Sequence, residues 1–139
     1  MPPVRVTTQL EFSAAHRLVN PEWSDERNQE VYGACASPNW HGHNYVLHVT
    51  VQGQIDPETG FVIDFRDLKS LVESRVIEDL DHKNLNLDVP WMSGVISSAE
   101  NLIVAIWGRI ADGLPEGVEL SKLSLWETPR SYVEYTGEQ

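Results

Sequence analysis

The stretch "HNYVLHVTVQG", residues 43–53, alternates apolar and other side chains with the period of a β-strand. Its apolar side chains share one face: Tyr45, Leu47, Val49 and Val51. Residues 4–12 show the same alternation, so they predict a second strand that can pair with the first. The two segments predict a sheet with one buried face.

Two helices and two further strands are predicted beyond residue 60. Asp64 is suited to cap a helix of about four turns, with apolar side chains at helical spacing: Phe65, Leu68, Val72, Val76 and Leu80. Ser97 and Glu100 form a capping box before a second apolar stripe. The segments "ELSKLSLWE", residues 119–127, and "SYVEY", residues 131–135, predict the last two strands. A short helix is also predicted in "PEWSDERNQEVYG", residues 21–33.

The order of these elements predicts the fold class. Strands at both ends with paired helices between them favour an α+β fold, an antiparallel sheet with helices on one face. The length of 139 residues suits one domain, residues 1–139. The open edges of a four-stranded sheet favour self-association.

Composition excludes several function classes. The formal net charge of −11 argues against a nucleic-acid partner, because a phosphate backbone binds basic surfaces. No apolar run approaches the roughly 18 residues of a membrane helix, and the N-terminus lacks a signal-peptide core. One cysteine cannot form an internal disulfide, so we expect a cytoplasmic protein.

A metal site is indicated by three histidines. His41 and His43 are two residues apart, so on a strand both side chains project from one face. His16, just past the first strand, is the candidate third ligand. Three neutral imidazoles suit Zn²⁺ and leave a coordination position open, as in catalytic sites. The alternative is that the His-x-His pair is ordinary polarity on a strand surface.

Four further side chains carry chemistry in this setting. Cys35 is either a small buried apolar residue or a thiol in a loop near a cation, which would favour the thiolate and its use as a base. Asp81 and His82 are either solvated loop residues or an acid–base pair. Glu127 shares strand parity with Leu125, so it should point to the apolar face. A carboxylate there needs a partner, such as a planar ligand with two adjacent N–H donors.

Several ordered motifs resemble the 6-pyruvoyl-tetrahydropterin synthase family. They run over most of the chain: "FSAAHRL" (12–18), "CASPNWHGHNY" (35–45), "GQIDPETGFVIDF" (53–65), "LDHKNLNLDVP" (80–90), "SSAENL" (97–102) and "WET" (126–128). The resemblance implies the T-fold, a four-stranded antiparallel sheet with two helices between its second and third strands. It also implies that three subunits close a barrel and that two trimers form a homohexamer, with active sites between subunits.

Site roles follow from the same resemblance. His16, His41 and His43 match the zinc ligands, and Cys35 matches the catalytic cysteine. Asp81 and His82 match an Asp-His pair contributed by a neighbouring subunit. Two residues match substrate contacts, since Glu127 corresponds to the glutamate that holds the amino-pyrimidine edge of the pterin, and Ser98 stands where relatives often have Thr near the ring. Arg17 and Lys83 lie beside site motifs, but sequence does not identify the triphosphate ligands.

The implied activity is that of a lyase. Such an enzyme converts 7,8-dihydroneopterin triphosphate to 6-pyruvoyl-tetrahydropterin, with Zn²⁺ and without an external redox cofactor. Relatives in queuosine biosynthesis instead form 6-carboxytetrahydropterin and release acetaldehyde. The five residues between Cys35 and His41 favour the pyruvoyl product, whereas "VIDF", residues 62–65, resembles the carboxy-forming type. The remaining alternatives are a non-catalytic zinc or pterin-binding module, and a related cyclohydrolase or aldolase.

Overall fold

The predicted strands pair into one sheet in the computed structural model, which describes residues 2–138. The strands and helices in chain order are β1 (Val4–His16), α1 (Asp25–Tyr32), β2 (His41–Gly53), α2 (Phe65–Val72), α3 (Glu78–Leu80), β3 (Lys83–Asn84), α4 (Ala99–Ala111), β4 (Val118–Thr128) and β5 (Ser131–Tyr135). A π turn, Glu73–Ile77, joins α2 to α3, and 3₁₀ turns lie at Gly33–Ala36 and Pro90–Met92. The α+β prediction is confirmed.

The sheet has five strands rather than the predicted four, in the order β3-β1-β2-β4-β5. The four long strands pair antiparallel, as predicted. The additional strand is β3, whose two residues run parallel to β1 beside Ala14 and Ala15. A two-residue strand has no detectable alternation, so the sequence pattern could not reveal it.

The core lies between one face of the sheet and the helices. All four apolar side chains assigned to the inner face of β2 are fully buried. Helix α4 packs a stripe against them, formed by Leu102, Ile103, Ile106 and Ile110. Burying a side chain of this size stabilises the fold by about 1.5–3 kcal/mol. None of the helices described within residues 2–138 is long and apolar enough to cross a membrane.

Two helical predictions were wrong in detail. Phe65 is 61% exposed instead of packing with Leu68, which is fully buried. The capping residue of α4 is Ser98, whose hydroxyl accepts from the Asn101 N–H at 3.2 Å, rather than Ser97. Ser97 is fully buried and donates its hydroxyl proton elsewhere, so the helix starts one residue later.

Candidate active site

Strand register brings the three predicted zinc ligands together. His16 ends β1 and His41 begins β2, and the two residues are directly opposite in the antiparallel pair. His43 lies opposite Ala14, two residues further along the same face. Because side chains alternate across a strand, all three imidazoles project from the face that also carries the buried Tyr45.

The three imidazoles form a close cluster. Ring centroids are 4.5 Å apart for His16 and His41, 5.2 Å for His16 and His43, and 5.0 Å for His41 and His43. One ligand nitrogen from each ring lies within 4.8 Å of the others. Three converging imidazoles are a donor set that suits Zn²⁺.

A backbone carbonyl fixes the orientation of His16. Its Nδ1 lies 2.8 Å from Ser97 O, and a carbonyl can only accept, so Nδ1 carries the proton. The lone pair of the neutral ring is then on Nε2, which faces the cluster. This arrangement, in which a carbonyl orients a ligating imidazole, is typical of metal sites.

Burial favours the neutral form of two of the three imidazoles, His16 and His43. Desolvation lowers the pKa of His16 below its ordinary value, and the neighbouring His41 adds to that effect. Desolvation also lowers the pKa of His43, against the opposing charge of Glu127. Neutral imidazoles offer lone pairs to a metal without first releasing a proton.

Two imidazole nitrogens in the cluster are buried without a hydrogen-bond partner, His16 Nε2 and His41 Nδ1. Such orphaned nitrogens are costly unless a ligand satisfies them. The Glu127 carboxylate adds to this, because its Oε1 lies 3.4 Å from His16 Nε2 and 3.2 Å from His43 Nε2. A lone pair facing a carboxylate favours a cation between them, so these residues fit a bound metal ion.

Glu127 lies on the inner face, as its strand parity predicted. Its side chain is 30% exposed, whereas Leu125 on the same face is fully buried. The pairing of β4 with β5 is irregular between Trp126 and Thr128. The carboxylate therefore sits where the buried face opens to solvent, next to the histidines.

Cys35 lies in the 3₁₀ turn Gly33–Ala36 and is exposed, so it is not the buried apolar residue of the alternative interpretation. Two hydrogen bonds tie this turn to the segment after His16. The Leu18 N–H donates to Cys35 O at 2.7 Å, and Arg17 Nη2 donates to Ala36 O at 2.9 Å. The turn that carries Cys35 therefore lies at the same end of the sheet as His16, with the Arg17 guanidinium on the Ala36 carbonyl.

The side chains of Asp81 and His82 are in contact at the edge of β1. Asp81 Oδ2 lies 3.0 Å from His82 Nδ1, and Asp81 Oδ1 accepts from the Ser13 N–H at 2.9 Å. The Ser13 hydrogen bond, assisted by His82, holds the pKa of Asp81 below its usual range. The His82 side chain is 83% exposed, and its φ of 61° lies in the left-handed region. A depression of about 400 Å³ is lined by both His43 and His82.

Ser98 and Ser97 divide two roles at the start of α4. The hydroxyl of Ser98 caps the helix. Sequence reasoning missed the part played by Ser97, whose carbonyl holds His16 and whose hydroxyl donates to Arg17 O at 3.2 Å and Asn86 Oδ1 at 3.0 Å. The two adjacent serines, Ser97 and Ser98, indicated this second role in the sequence, because only one of them can cap the helix.

Known proteins resemble the chain over nearly its whole length. The family model "6-pyruvoyl tetrahydropterin synthase" matches residues 5–138. The 6-pyruvoyl tetrahydrobiopterin synthase of Pongo abelii is 47% identical over 134 residues, covering 96% of this chain and 92% of that protein. A relative with another activity, the dihydroneopterin monophosphate aldolase of Pyrococcus furiosus, is 36% identical and covers 88% of this chain and 89% of its own.

Solved structures agree with this assignment. The structure of Caenorhabditis elegans 6-pyruvoyl tetrahydropterin synthase superimposes with a TM-score of 0.91 at 36% identity, covering 99% of this chain and 98% of that one. The sheet and helices described above are therefore the T-fold that the motifs implied. On its sequence and on its fold, the chain belongs to the 6-pyruvoyl tetrahydropterin synthase family.

Proposed function

We propose that this chain converts 7,8-dihydroneopterin triphosphate to 6-pyruvoyl-tetrahydropterin at a zinc ion held by His16, His41 and His43. The chain is an enzyme of a family of lyases that eliminate triphosphate. The observation that carries the proposal is the cluster of three imidazoles, whose ligand nitrogens lie within 4.8 Å of one another. Two of its nitrogens are buried and lack hydrogen-bond partners.

The zinc assignment is supported by the donor set. Neutral imidazoles suit Zn²⁺, and the three histidines leave a coordination position for substrate oxygens. When bound there, zinc would supply a Lewis acid that polarises those oxygens and acidifies the neighbouring C–H and O–H groups. The Ser97 carbonyl would keep His16 in the ligating tautomer.

Glu127 is the proposed anchor for the pterin. An ionised carboxylate accepts two parallel hydrogen bonds from adjacent N–H groups, which matches the amino-pyrimidine edge. Its position 3.2 Å from His43 Nε2 supports this role, because a pterin held there would have its side chain beside the metal. Ser98, at the start of α4, is the proposed second contact with the ring.

Proton transfer is assigned to Cys35 and to the Asp81–His82 pair. The Cys35 thiolate removes a proton from the substrate side chain, and the pair handles the proton on the opposite side. The exposure of the thiol and of His82 supports this division, since both reach solvent where a substrate can approach. Triphosphate then leaves by elimination, and redox tautomerisation within the substrate gives the tetrahydropterin.

We extend the proposal to a homohexamer, a dimer of barrel-shaped trimers, in the cytoplasm. Within the described residues, β3 covers only Ala14 and Ala15, so residues 4–13 of β1 leave a sheet edge without a partner strand. Strand β5 forms the other edge. Two open edges on one sheet support closure by neighbouring copies. Asp81 and His82 would then serve the site of an adjacent subunit.

Two other products have specific support. The "VIDF" segment favours 6-carboxytetrahydropterin, which would place the enzyme in queuosine biosynthesis. The likeness to an aldolase favours cleavage of a dihydroneopterin phosphate. The spacing between Cys35 and His41, and relatives named 6-pyruvoyl tetrahydrobiopterin synthase, favour the pyruvoyl product. A non-catalytic module is disfavoured because Cys35, Asp81 and His82 are all present.

Mass spectrometry of the product separates these functions. The enzyme is incubated with 7,8-dihydroneopterin triphosphate, with and without a chelator, and Cys35→Ala is run as a control for the base. A 6-pyruvoyl product that disappears on chelation supports the proposal. A 6-carboxy product with acetaldehyde, an aldolase product, or no turnover would each contradict it. A Cys35→Ala variant with unchanged turnover would show that the thiol is not the base.

A further inference from the structure

The helix that leads to Asp81 is interrupted by the π turn Glu73–Ile77. A π turn breaks the regular hydrogen-bond ladder, and such turns are frequent at functional sites. One carbonyl of this turn, Arg75 O, accepts a hydrogen bond from Arg109 Nε of α4 at 3.1 Å. A side chain from the neighbouring helix therefore stabilises the irregular turn.

Arg109 also contacts the residues on both sides of the Asp81–His82 segment. Its Nη2 donates to Asp79 Oδ2 at 3.2 Å, and Trp91 Nε1 donates to the same oxygen at 3.0 Å. The guanidinium carbon lies 5.4 Å from the centroid of the Trp91 ring, within the range of a cation–π contact. Arg109, Asp79 and Trp91 are called the Arg109 clamp below.

Two residues of the clamp flank the Asp81–His82 pair in the sequence. Asp79 precedes Asp81 by two residues, and Trp91 follows in the 3₁₀ turn Pro90–Met92. On the other side, the pair is tied to Ser13 of β1, since the His82 N–H donates to Ser13 O at 2.6 Å. The left-handed φ of 61° at His82 is a conformation that surrounding contacts must hold in place.

We infer that the Arg109 clamp positions the Asp81–His82 pair for the reaction without touching the substrate. The inference rests on the proton-handling role proposed for that pair. A guanidinium suits this task because its planar fork reaches the Arg75 carbonyl and the Asp79 carboxylate at once. Loss of the fork releases the π turn and the chain that carries Asp81.

Steady-state kinetics of Arg109→Gln tests the inference. We expect kcat to fall by about tenfold, with KM and zinc content unchanged, because a displacement of about 1 Å is sufficient to slow proton transfer. Asp79→Asn is the second variant, because it keeps Arg109 but weakens the contact between Arg109 and residue 79. It replaces Arg109→Gln in the test if that variant does not fold. Asp112→Asn is the matched control, since it breaks the exposed Arg75–Asp112 ion pair of 3.1 Å near the same two helices. It should change kcat by less than about twofold.

A double-mutant cycle with His82→Ala distinguishes positioning from general destabilisation. If the clamp acts through the pair, Arg109→Gln causes no further loss of kcat once His82 is removed. If the losses of kcat in the two single variants multiply in the double variant, the positioning role of the clamp is overturned, while the role proposed for the Asp81–His82 pair stands. A wild-type kcat in His82→Ala would overturn the role proposed for the pair, and the positioning role with it.

Discussion

The two groups of site residues differ most in how the fold holds them. His16 is 1% exposed and is fixed by strand register and by the Ser97 carbonyl. His82 is 83% exposed and belongs to a loop, where its φ is 61°. The sheet therefore preorganises the candidate metal ligands within one chain. The Asp81–His82 pair instead faces outward, where a substrate or a second subunit can reach it.

The difference follows from what each group must do. A metal site needs nitrogens held at fixed separations in a dry setting, and adjacent strands provide this. A proton-transfer pair needs access to the substrate, so it lies on a surface and requires other contacts to hold it.

Replacing His41 with Ala should abolish the metal site. We expect bound zinc to fall below about a tenth of an equivalent and turnover to fall by at least about 10³-fold, because two imidazoles cannot hold the ion or polarise the substrate. Elemental analysis and product formation measure these effects. His48→Ala is the control, since His48 lies on the same strand but on the opposite face, beside Trp126. Equal loss of zinc in both variants would contradict the assignment.

Replacing His82 with Ala should separate chemistry from metal binding. Turnover is expected to fall by about 10²–10⁴-fold, the usual contribution of a general acid or base. Zinc content and thermal stability should stay at wild-type values, because the side chain is exposed. Loss of zinc in this variant would show that the two regions are not independent.

Ser97→Ala and Ser98→Ala form a matched pair at the start of α4. Ser97→Ala removes a buried hydroxyl that bonds Arg17 O and Asn86 Oδ1, so we expect about 1–2 kcal/mol of destabilisation. It should leave zinc affinity close to that of the wild type, because His16 Nδ1 donates to the Ser97 backbone carbonyl, which the substitution keeps. Ser98→Ala loses a helix cap, at a cost of about 1 kcal/mol, and should leave zinc affinity unchanged. Urea unfolding and zinc titration measure both, and a loss of zinc affinity in Ser97→Ala alone would contradict the assignment of His16 orientation to the backbone carbonyl.

The smallest effect concerns Asp81 and pH. The folded-state pKa of Asp81 is depressed, chiefly by the Ser13 N–H. The ionised carboxylate therefore stabilises the folded state at pH values above about 4, which is the pKa of the side chain in the unfolded chain. That contribution is lost as the pH falls below about 4 and Asp81 becomes protonated. Urea unfolding of wild type and Asp81→Asn should differ at pH 6, and the difference should shrink as the pH falls below about 4. A difference that does not shrink with falling pH would show that the charge of Asp81 is not the cause.

Local sequence patterns predicted which side chains share a face of the sheet, because this depends only on strand parity. Alternation fixed the faces of β1 and β2, so the convergence of His16, His41 and His43 followed from their positions. The same parity placed Glu127 on the inner face. Its approach to within 3.4 Å of His16 Nε2 was not predictable, because it depends on an irregular pairing at the end of β4.

Features set by tertiary contacts were missed. The π turn receives a hydrogen bond at Arg75 O from Arg109, which is distant in sequence from the turn. Strand β3 has only two residues and exists because the chain after α3 returns along β1. The Ser-x-x-Glu pattern predicts Ser97 as the helix cap, because the pattern does not reveal that this serine is buried.

X-ray absorption spectroscopy at the zinc edge of the purified protein tests the central claim most directly. The account predicts a first shell of three nitrogen neighbours at about 2.0–2.1 Å, completed by oxygen and without sulfur, and its loss in His41→Ala. A sulfur neighbour at about 2.3 Å would make Cys35 a ligand rather than a base, and the absence of bound zinc would contradict the three-histidine site itself.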